Sequence, residues 1–169
     1  MVTVSDIGSG DTLLLTDSSG NVKRVSLATL YAQVSKGGKN LILESAHPGN
    51  GVYGLGRLTL SEPLKKGETY TVSVYGFNLG EGKTSVQLWD KAGARGFGVL
   101  IPKDGGKTYR LTFTVSESHA DSNLDAVEII AFPKTVTTLS SFECIKLEEG
   151  NIPTVWTPAP EDLATKLGG

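Results

Sequence analysis

A period of two in hydrophobicity runs through most of the chain and limits what it can fold into. Within residues 40–156, apolar and polar residues alternate in short segments, the pattern of strands with one buried face. The apolar positions are Leu41 and Leu43; Leu58 and Leu60; Tyr70, Val72 and Val74; Val86 and Leu88; Phe97, Val99 and Ile101; Tyr109, Leu111, Phe113 and Val115; Val127 and Ile129; and a final run at 140–147. Turn signals at residues 65–68, 90–93 and 104–107 separate several of them. About eight such strands without a helical period between them predict an all-β, antiparallel sandwich, for which we favour a jelly roll.

The first part of the chain has a different pattern. A short apolar run at residues 13–16 and a turn signal at 17–20, followed by a segment at 22–25 that can return as a second strand, predict a small hairpin. Ser26 is a candidate N-cap for a short helix that ends at Gly37, with an apolar stripe formed by Leu27, Leu30, Tyr31 and Val34. A helix of about eight residues and a two-stranded hairpin are both marginal alone in water. We therefore expect this segment to dock on another chain or on copies of itself.

Composition argues against most catalytic chemistry. Among 169 residues there are 2 His (His47 and His119) and 1 Cys. A single cysteine excludes an internal disulfide and a Cys-rich zinc site, and two histidines leave little for an imidazole-based active site. The net charge is -2, and no block of like charge occurs. We therefore predict a protein that is not an enzyme, takes no cofactor and has neither nucleic acid nor a membrane as a partner.

The motifs that carry chemistry are absent or incomplete. No Walker loop, G-x-G-x-x-G or G-x-S-x-G occurs. The nearest approach to a nucleophilic triad is Ser116 or Ser118 with His119 and Asp121. One short loop cannot place nucleophile, base and orienting group at the required angles. Asp121, Asn123 and Asp125 resemble the start of a calcium loop, but Ala126 stands where glycine is needed. We interpret this segment as a polar loop and predict no metal ligand, although another calcium geometry stays open.

The end of the chain is its most specific segment. Residues 142–162 read FECIKLEEGNIPTVWTPAPED. They closely resemble the terminal strand and tail of jelly-roll modules in phage tail, baseplate and fibre proteins. Residues 40–43 and 60–74 are similar to the opening strands of such carbohydrate-binding-module-like domains. In physical terms, Gly150 allows a turn and three prolines keep the tail extended, so that Trp156 can fold back over one end of the sandwich.

A second resemblance concerns the N-terminal segment. Residues 11–17 and 20–30 are similar to the hairpin-helix that begins many phage fibre and collar proteins, where it serves virion attachment or trimerisation. The two resemblances together imply an attachment or trimerisation segment at 1–38, a jelly-roll module at 39–162 and a tail at 163–169. They imply a virion protein made in the host cytoplasm. Its partners would be its own copies in a homotrimer and other virion proteins, bound through the N-terminal segment.

Sugar binding is the ligand activity that the residues support best, with host-surface glycans as the ligand. Sugars need flat aromatic faces with planar hydrogen-bonding groups nearby. Tyr75 and Trp89 fall on the polar phase of their strands, so their rings are predicted to be exposed. Nearby candidate contacts are Tyr53, Gln87, Asp90 and Arg95. Alternatively, Trp89 caps the sandwich or lies at a subunit interface.

The sequence is compatible with three functions. The first is a phage virion structural protein that displays the module, and the second is a free-standing carbohydrate-binding module with a specific glycan groove. The third, a glycan hydrolase or esterase, ranks last because no acid/base pair is visible. Glu148 and Glu149, for example, are adjacent and would point to opposite faces of a strand.

Overall fold

The structure, a computed structural model, describes residues 38–162 together with the backbone of residues 12–16 and 22–26. The chain divides into two units, Met1–Gly37 and Gly38–Gly169. In the first unit, strands β1 (Thr12–Thr16) and β2 (Val22–Ser26) form the predicted antiparallel hairpin. The predicted helix with its stripe of Leu27, Leu30, Tyr31 and Val34 lies outside the described residues, as does the tail at 163–169.

The second unit is built from antiparallel strands. They are β3 (Gly49–Gly51), β4 (Gly54–Thr59), β5 (Thr69–Tyr75), β6 (Ser85–Asp90), β7 (Gly96–Lys103), β8 (Thr108–Thr114), β9 (Ala126–Phe132), β10 (Ser140–Phe142) and β11 (Cys144–Glu149). In this described part, a seven-stranded sheet has the order β11-β5-β8-β7-β6-β9-β4 and curls into a half-barrel. A smaller sheet pairs β10 with β3.

Strand β7 forms the corner between the two halves of the large sheet. Its first part pairs with β6, where Leu100 lies opposite Val86, and its second part pairs with β8, where Ile101 lies opposite Arg110. The pairs β7 with β8, β6 with β9 and β5 with β11 are nested, as in a long hairpin folded over on itself. This nesting is jelly-roll connectivity. The protein is therefore an all-β antiparallel sandwich, and the prediction from the period of two is confirmed.

One hydrophobic core fills the space between the two half-sheets. It takes alternate residues from the regular strands, so that Val86 and Leu88 on β6 are fully buried together with Val72 and Val74 on β5 and Ile129 on β9. Burying a side chain of this size stabilises a fold by roughly 1.5–3 kcal/mol. No helix in the described part of the chain is long and apolar enough to cross a membrane.

Three predicted strands differ from the structure. On β7, Val99 and Ile101 are 43% and 50% exposed and Leu100 is buried instead, because a bulge opposite Leu88 and Trp89 shifts the alternation by one residue.

The segment at Leu41 and Leu43 is irregular and reaches the sheet through an isolated bridge between Ile42 and Leu60. The Ile42 N–H donates to the Asn40 side chain. This N–H is therefore not available for a hydrogen bond to a neighbouring strand. The run predicted as one strand at 140–147 is interrupted at Glu143, because the chain there leaves the small sheet and joins the edge of the large one.

Candidate aromatic binding face

Aromatic and polar side chains share the outer face of the half-sheet formed by β4, β9 and β6. Because Val86 and Leu88 point into the core, Gln87 and Trp89 point outward. The same alternation turns Glu128 and Phe132 of β9 outward, opposite Trp89 and Ser85. Tyr53 directly precedes β4 and packs against Phe132. We call Tyr53, Gln87, Trp89, Glu128 and Phe132 the aromatic face.

The three rings of this face are held at fixed spacings. Phe132 lies in the middle, with its ring centroid 5.2 Å from that of Tyr53 in an edge-to-face arrangement and 6.3 Å from that of Trp89. The Ala131 N–H donates to the Tyr53 carbonyl at 2.8 Å, which holds Tyr53 alongside β9. All three rings are half-buried. A ligand therefore meets a connected aromatic surface in which each ring is braced by its neighbour.

The orientation of Trp89 is set by its neighbours on both sides. Its indole N–H donates to Oε1 of Gln87 at 3.1 Å. Gly96 of β7 lies opposite, and a Cβ added there would be 3.4 Å from Cε2 of the indole, so the ring lies close against the strand backbone. Gln87 thus holds a planar amide beside the indole, the combination that a sugar ring and its hydroxyls require.

Cationic groups surround the aromatic face. The Lys134 ammonium lies over the Tyr53 ring, 5.3 Å from its centroid, within the range of a cation–π contact. Arg57 lies opposite Glu128 in the register of β4 and β9, and Arg95 precedes Gly96. The loop that carries Lys134 is tied down by the buried Lys83, which donates to the Pro133 carbonyl at 2.9 Å. Lys83 therefore helps to position the cation at this face.

The structure groups some of the predicted contacts and separates others. Trp89, Gln87 and Tyr53 share the aromatic face, and Arg95 lies in the adjoining turn. Asp90, however, is 1% exposed, and its Oδ1 accepts the Ala94 N–H at 2.9 Å, so it builds the turn rather than meeting a ligand.

Tyr75 belongs to a different part of the molecule. It ends β5, in the other half of the large sheet, and its hydroxyl donates to the Thr154 carbonyl at 3.3 Å. Burial raises the pKa of this phenol. The prediction that Tyr75 and Trp89 lie together is therefore wrong. Both residues take the polar, outward positions of their strands, but β5 and β6 belong to different half-sheets. The expectation omitted Phe132, which the alternation of β9 does turn to the same face as Glu128.

The C-terminal tail covers the outer face of the opposite half-sheet and buries two charges there. Lys146 and Glu148 of β11 are each 1% exposed, with Nζ and Oε2 3.6 Å apart. Lys146 donates to Oγ1 of Thr154 at 2.6 Å and to the Val155 carbonyl at 2.9 Å. Thr154 in turn donates its N–H and its hydroxyl to the Glu148 carboxylate. Burial lowers the pKa of Lys146, and the whole arrangement fastens the tail to the sheet.

Trp156 also holds the tail against the sheet. Its indole N–H donates to the Ile145 carbonyl at 3.0 Å, so the ring folds back onto strand β11. The Thr157 carbonyl accepts from the Asn40 amide at 3.0 Å. The terminal motif thus has a structural role, as the sequence predicts, and it contributes no side chain to the aromatic face.

A groove of about 600 Å³ lies beside β4, between residues 43–49 and the end of the tail. Its apolar lining includes Leu43, Leu55, Leu58 and Phe142, and its acidic lining includes Glu44, Glu161 and Asp162. Both oxygens of the Asp162 carboxylate accept a hydrogen bond from the Glu44 N–H, each at an N···O distance of 3.0 Å. Phe142 is only 2% exposed. The groove therefore offers no exposed phenyl, phenol or indole face, and its exposed ring is the imidazole of His47.

The loop that resembles a triad or a calcium site is occupied by packing and ion pairs. His119 is buried and stacked on Phe97, with ring centroids 4.6 Å apart. Asp121 pairs with Lys66 and Asp125 with Lys91, each at 2.8 Å. The Asp125 pKa is lowered, chiefly by its hydrogen bond from Lys91. Over residues 38–162 no group of three or more His, Cys, Asp or Glu side chains is placed to hold a metal ion.

Comparison with known proteins yields little. No protein-family model matches the chain, and no curated protein matches it. Among solved structures, a latent aurone synthase, a polyphenol oxidase, aligns with 14% identity and a TM-score of 0.35. The alignment covers 90% of this chain and 40% of the oxidase. A likeness at that score says nothing about the fold or the chemistry of this chain.

Proposed function

We propose that this protein is a phage virion component that displays its jelly-roll module and contacts host-surface glycans through the aromatic face. The observation that carries the glycan part is the connected surface of Tyr53, Phe132 and Trp89, with the Gln87 amide beside the indole. Aromatic surface next to planar polar groups is the chemistry that binds sugar rings.

The likeness of the C-terminal segment to phage tail, baseplate and fibre modules supports the virion part. The N-terminal hairpin supports it as well, because a two-stranded hairpin needs a partner surface for stability. On a virion, many copies would bind together, so weak individual contacts would add to a useful avidity. Such a protein needs no catalytic group.

The glycan proposal predicts a specific loss of binding in Trp89→Ala. We expect the affinity for any bound glycan to fall by at least about tenfold, because a well-packed aromatic contact in a binding surface is worth roughly 2 kcal/mol. The measurement is titration of the full chain, wild type and variant, against glycans identified on an array of bacterial surface polysaccharides. The matched control is Tyr75→Phe, which alters a ring of the opposite half-sheet and should leave binding unchanged. Undiminished binding in a folded Trp89→Ala protein would contradict the proposal.

The virion proposal predicts that the chain assembles with itself. We expect light scattering of the full chain at tens of micromolar to give about three times the mass of one chain, 17.8 kDa. A variant that replaces Leu30 and Val34 with serine removes half of the predicted apolar stripe and should lower that mass. A monomer that still binds glycans through Trp89 would instead favour the free-standing carbohydrate-binding module.

A further inference from the structure

The charges at the aromatic face differ from those of the chain as a whole. The chain carries a net charge of -2. Among residues 38–162, however, exposed Arg57, Arg95 and Lys134 surround this face, while Glu128 is the carboxylate within it. The groove beside β4 has three carboxylates in its lining, Glu44, Glu161 and Asp162, and shares Arg57 with the aromatic face. Lys134 and Arg95 therefore give the surroundings of the rings a positive charge that the groove does not share.

One of these cations, Lys134, is held in place. Lys134 lies over the Tyr53 ring, which attracts the ammonium but does not neutralise it. Its loop is anchored because Lys83 donates to the carbonyl of Pro133, the residue directly before it. Arg57, by contrast, lies at the border between this face and the groove, which it also lines, and its charge acts on the Asp125 carboxylate. Lys134 is thus a positioned cation beside an aromatic surface.

We infer that the ligand of the aromatic face is an acidic polysaccharide, one whose sugars carry carboxylates. This inference rests on the proposed function, because it assumes that the face binds a glycan. The rings of Trp89 and Phe132 stack on the sugar, and the Lys134 ammonium binds a carboxylate of the same or the next residue. A neutral glycan would offer the Lys134 ammonium no opposite charge. Because the protein carries a net negative charge, the rest of its surface would repel an acidic polymer, which favours binding at this face.

The test compares each acidic polysaccharide with its own carboxyl-reduced form, which keeps the sugar backbone and removes the charge. Polygalacturonate, alginate and hyaluronan are titrated with the full chain at 50 mM and 300 mM NaCl. We expect at least one acidic form to bind more tightly than its reduced form, and the difference to shrink at the higher salt concentration. Lys134→Gln should weaken that binding roughly two- to fivefold, as loss of one exposed charge pair does. Lys107→Gln, which removes an exposed charge in the turn between β7 and β8, should not change it.

The outcomes separate this inference from the proposed function. Equal binding of acidic and reduced forms, or binding of no acidic polymer in the panel, would overturn the inference. If Trp89→Ala nevertheless abolishes binding of a neutral glycan, the glycan function stands and only its charge preference fails. If Lys134→Gln and Lys107→Gln weaken binding equally, the attraction is diffuse and the positioned cation plays no part.

Discussion

Replacing Lys146 with methionine is expected to lower the free energy of unfolding by about 3–5 kcal/mol, because it leaves Glu148 as a buried charge without its cation. Lys146 and Glu148 are each 1% exposed, and Thr154 joins them by hydrogen bonds to both. Urea denaturation of the full chain at one fixed protein concentration would measure the change. This concentration must be held constant because the stability of an oligomer depends on it.

The double variant Lys146→Met with Glu148→Gln tests the stated cause. A glutamine at 148 can still accept the Thr154 N–H, and neither side chain then carries a charge. We expect the double variant to recover more than half of the stability that Lys146→Met loses. Equal losses in the single and double variants would show that packing, rather than an unpaired buried charge, holds the tail in place.

Replacing Asn40 with alanine is expected to cost a comparable amount, about 3–5 kcal/mol, because each buried polar group left unpaired costs roughly 1–3 kcal/mol. The Asn40 side chain is fully buried and joins three parts of the chain. Its amide nitrogen donates to the Ile145 and Thr157 carbonyls, and its oxygen accepts the Ile42 and Leu147 N–H groups. The substitution therefore removes a link between the start of the module, strand β11 and the tail.

The matched control is Asn151→Ala, which removes the same side chain at an exposed position within the tail. We expect its unfolding free energy to stay within about 0.5 kcal/mol of the wild type. Limited proteolysis gives a second readout, because cleavage after residue 150 should accelerate in Asn40→Ala and not in the control. If Asn40→Ala costs no more than Asn151→Ala, the hydrogen bonds at residue 40 do not hold the tail.

Alternation predicted the direction of side chains well where a strand has one buried face. The period of two in β6 places Val86 and Leu88 inside, and the structure puts Trp89 on the outer face as a result. The same alternation places Asp90 in phase with Leu88, on the inner face. Asp90 became a candidate contact only because it lies next to Trp89 in the chain, and its burial shows that adjacency is a weaker guide than phase.

Alternation failed where another segment covers the outer face. Lys146 and Glu148 lie on the polar phase of β11, which predicts exposure. They are buried because the tail turns at Gly150 and returns over the strand, placing Thr154 between them. The turn glycine and the prolines are visible in the sequence and predict that the tail is extended. Which side chains Thr154 contacts, however, depends on the strand against which the tail packs.

Local periodicity and turn chemistry were enough to predict the all-β class, the main turns and the inward residues of regular strands such as β6. They were not enough for β7, where a bulge exposes Val99 and Ile101 and buries Leu100. Which outward-facing residues become neighbours depends on how the strands pair in the folded chain. This pairing brought Phe132 and Tyr53 beside Trp89 and sent Tyr75 to the opposite half-sheet. Strand pairing joins segments that are far apart in the chain, and hydrophobic alternation is so similar from strand to strand that it does not say which strands pair.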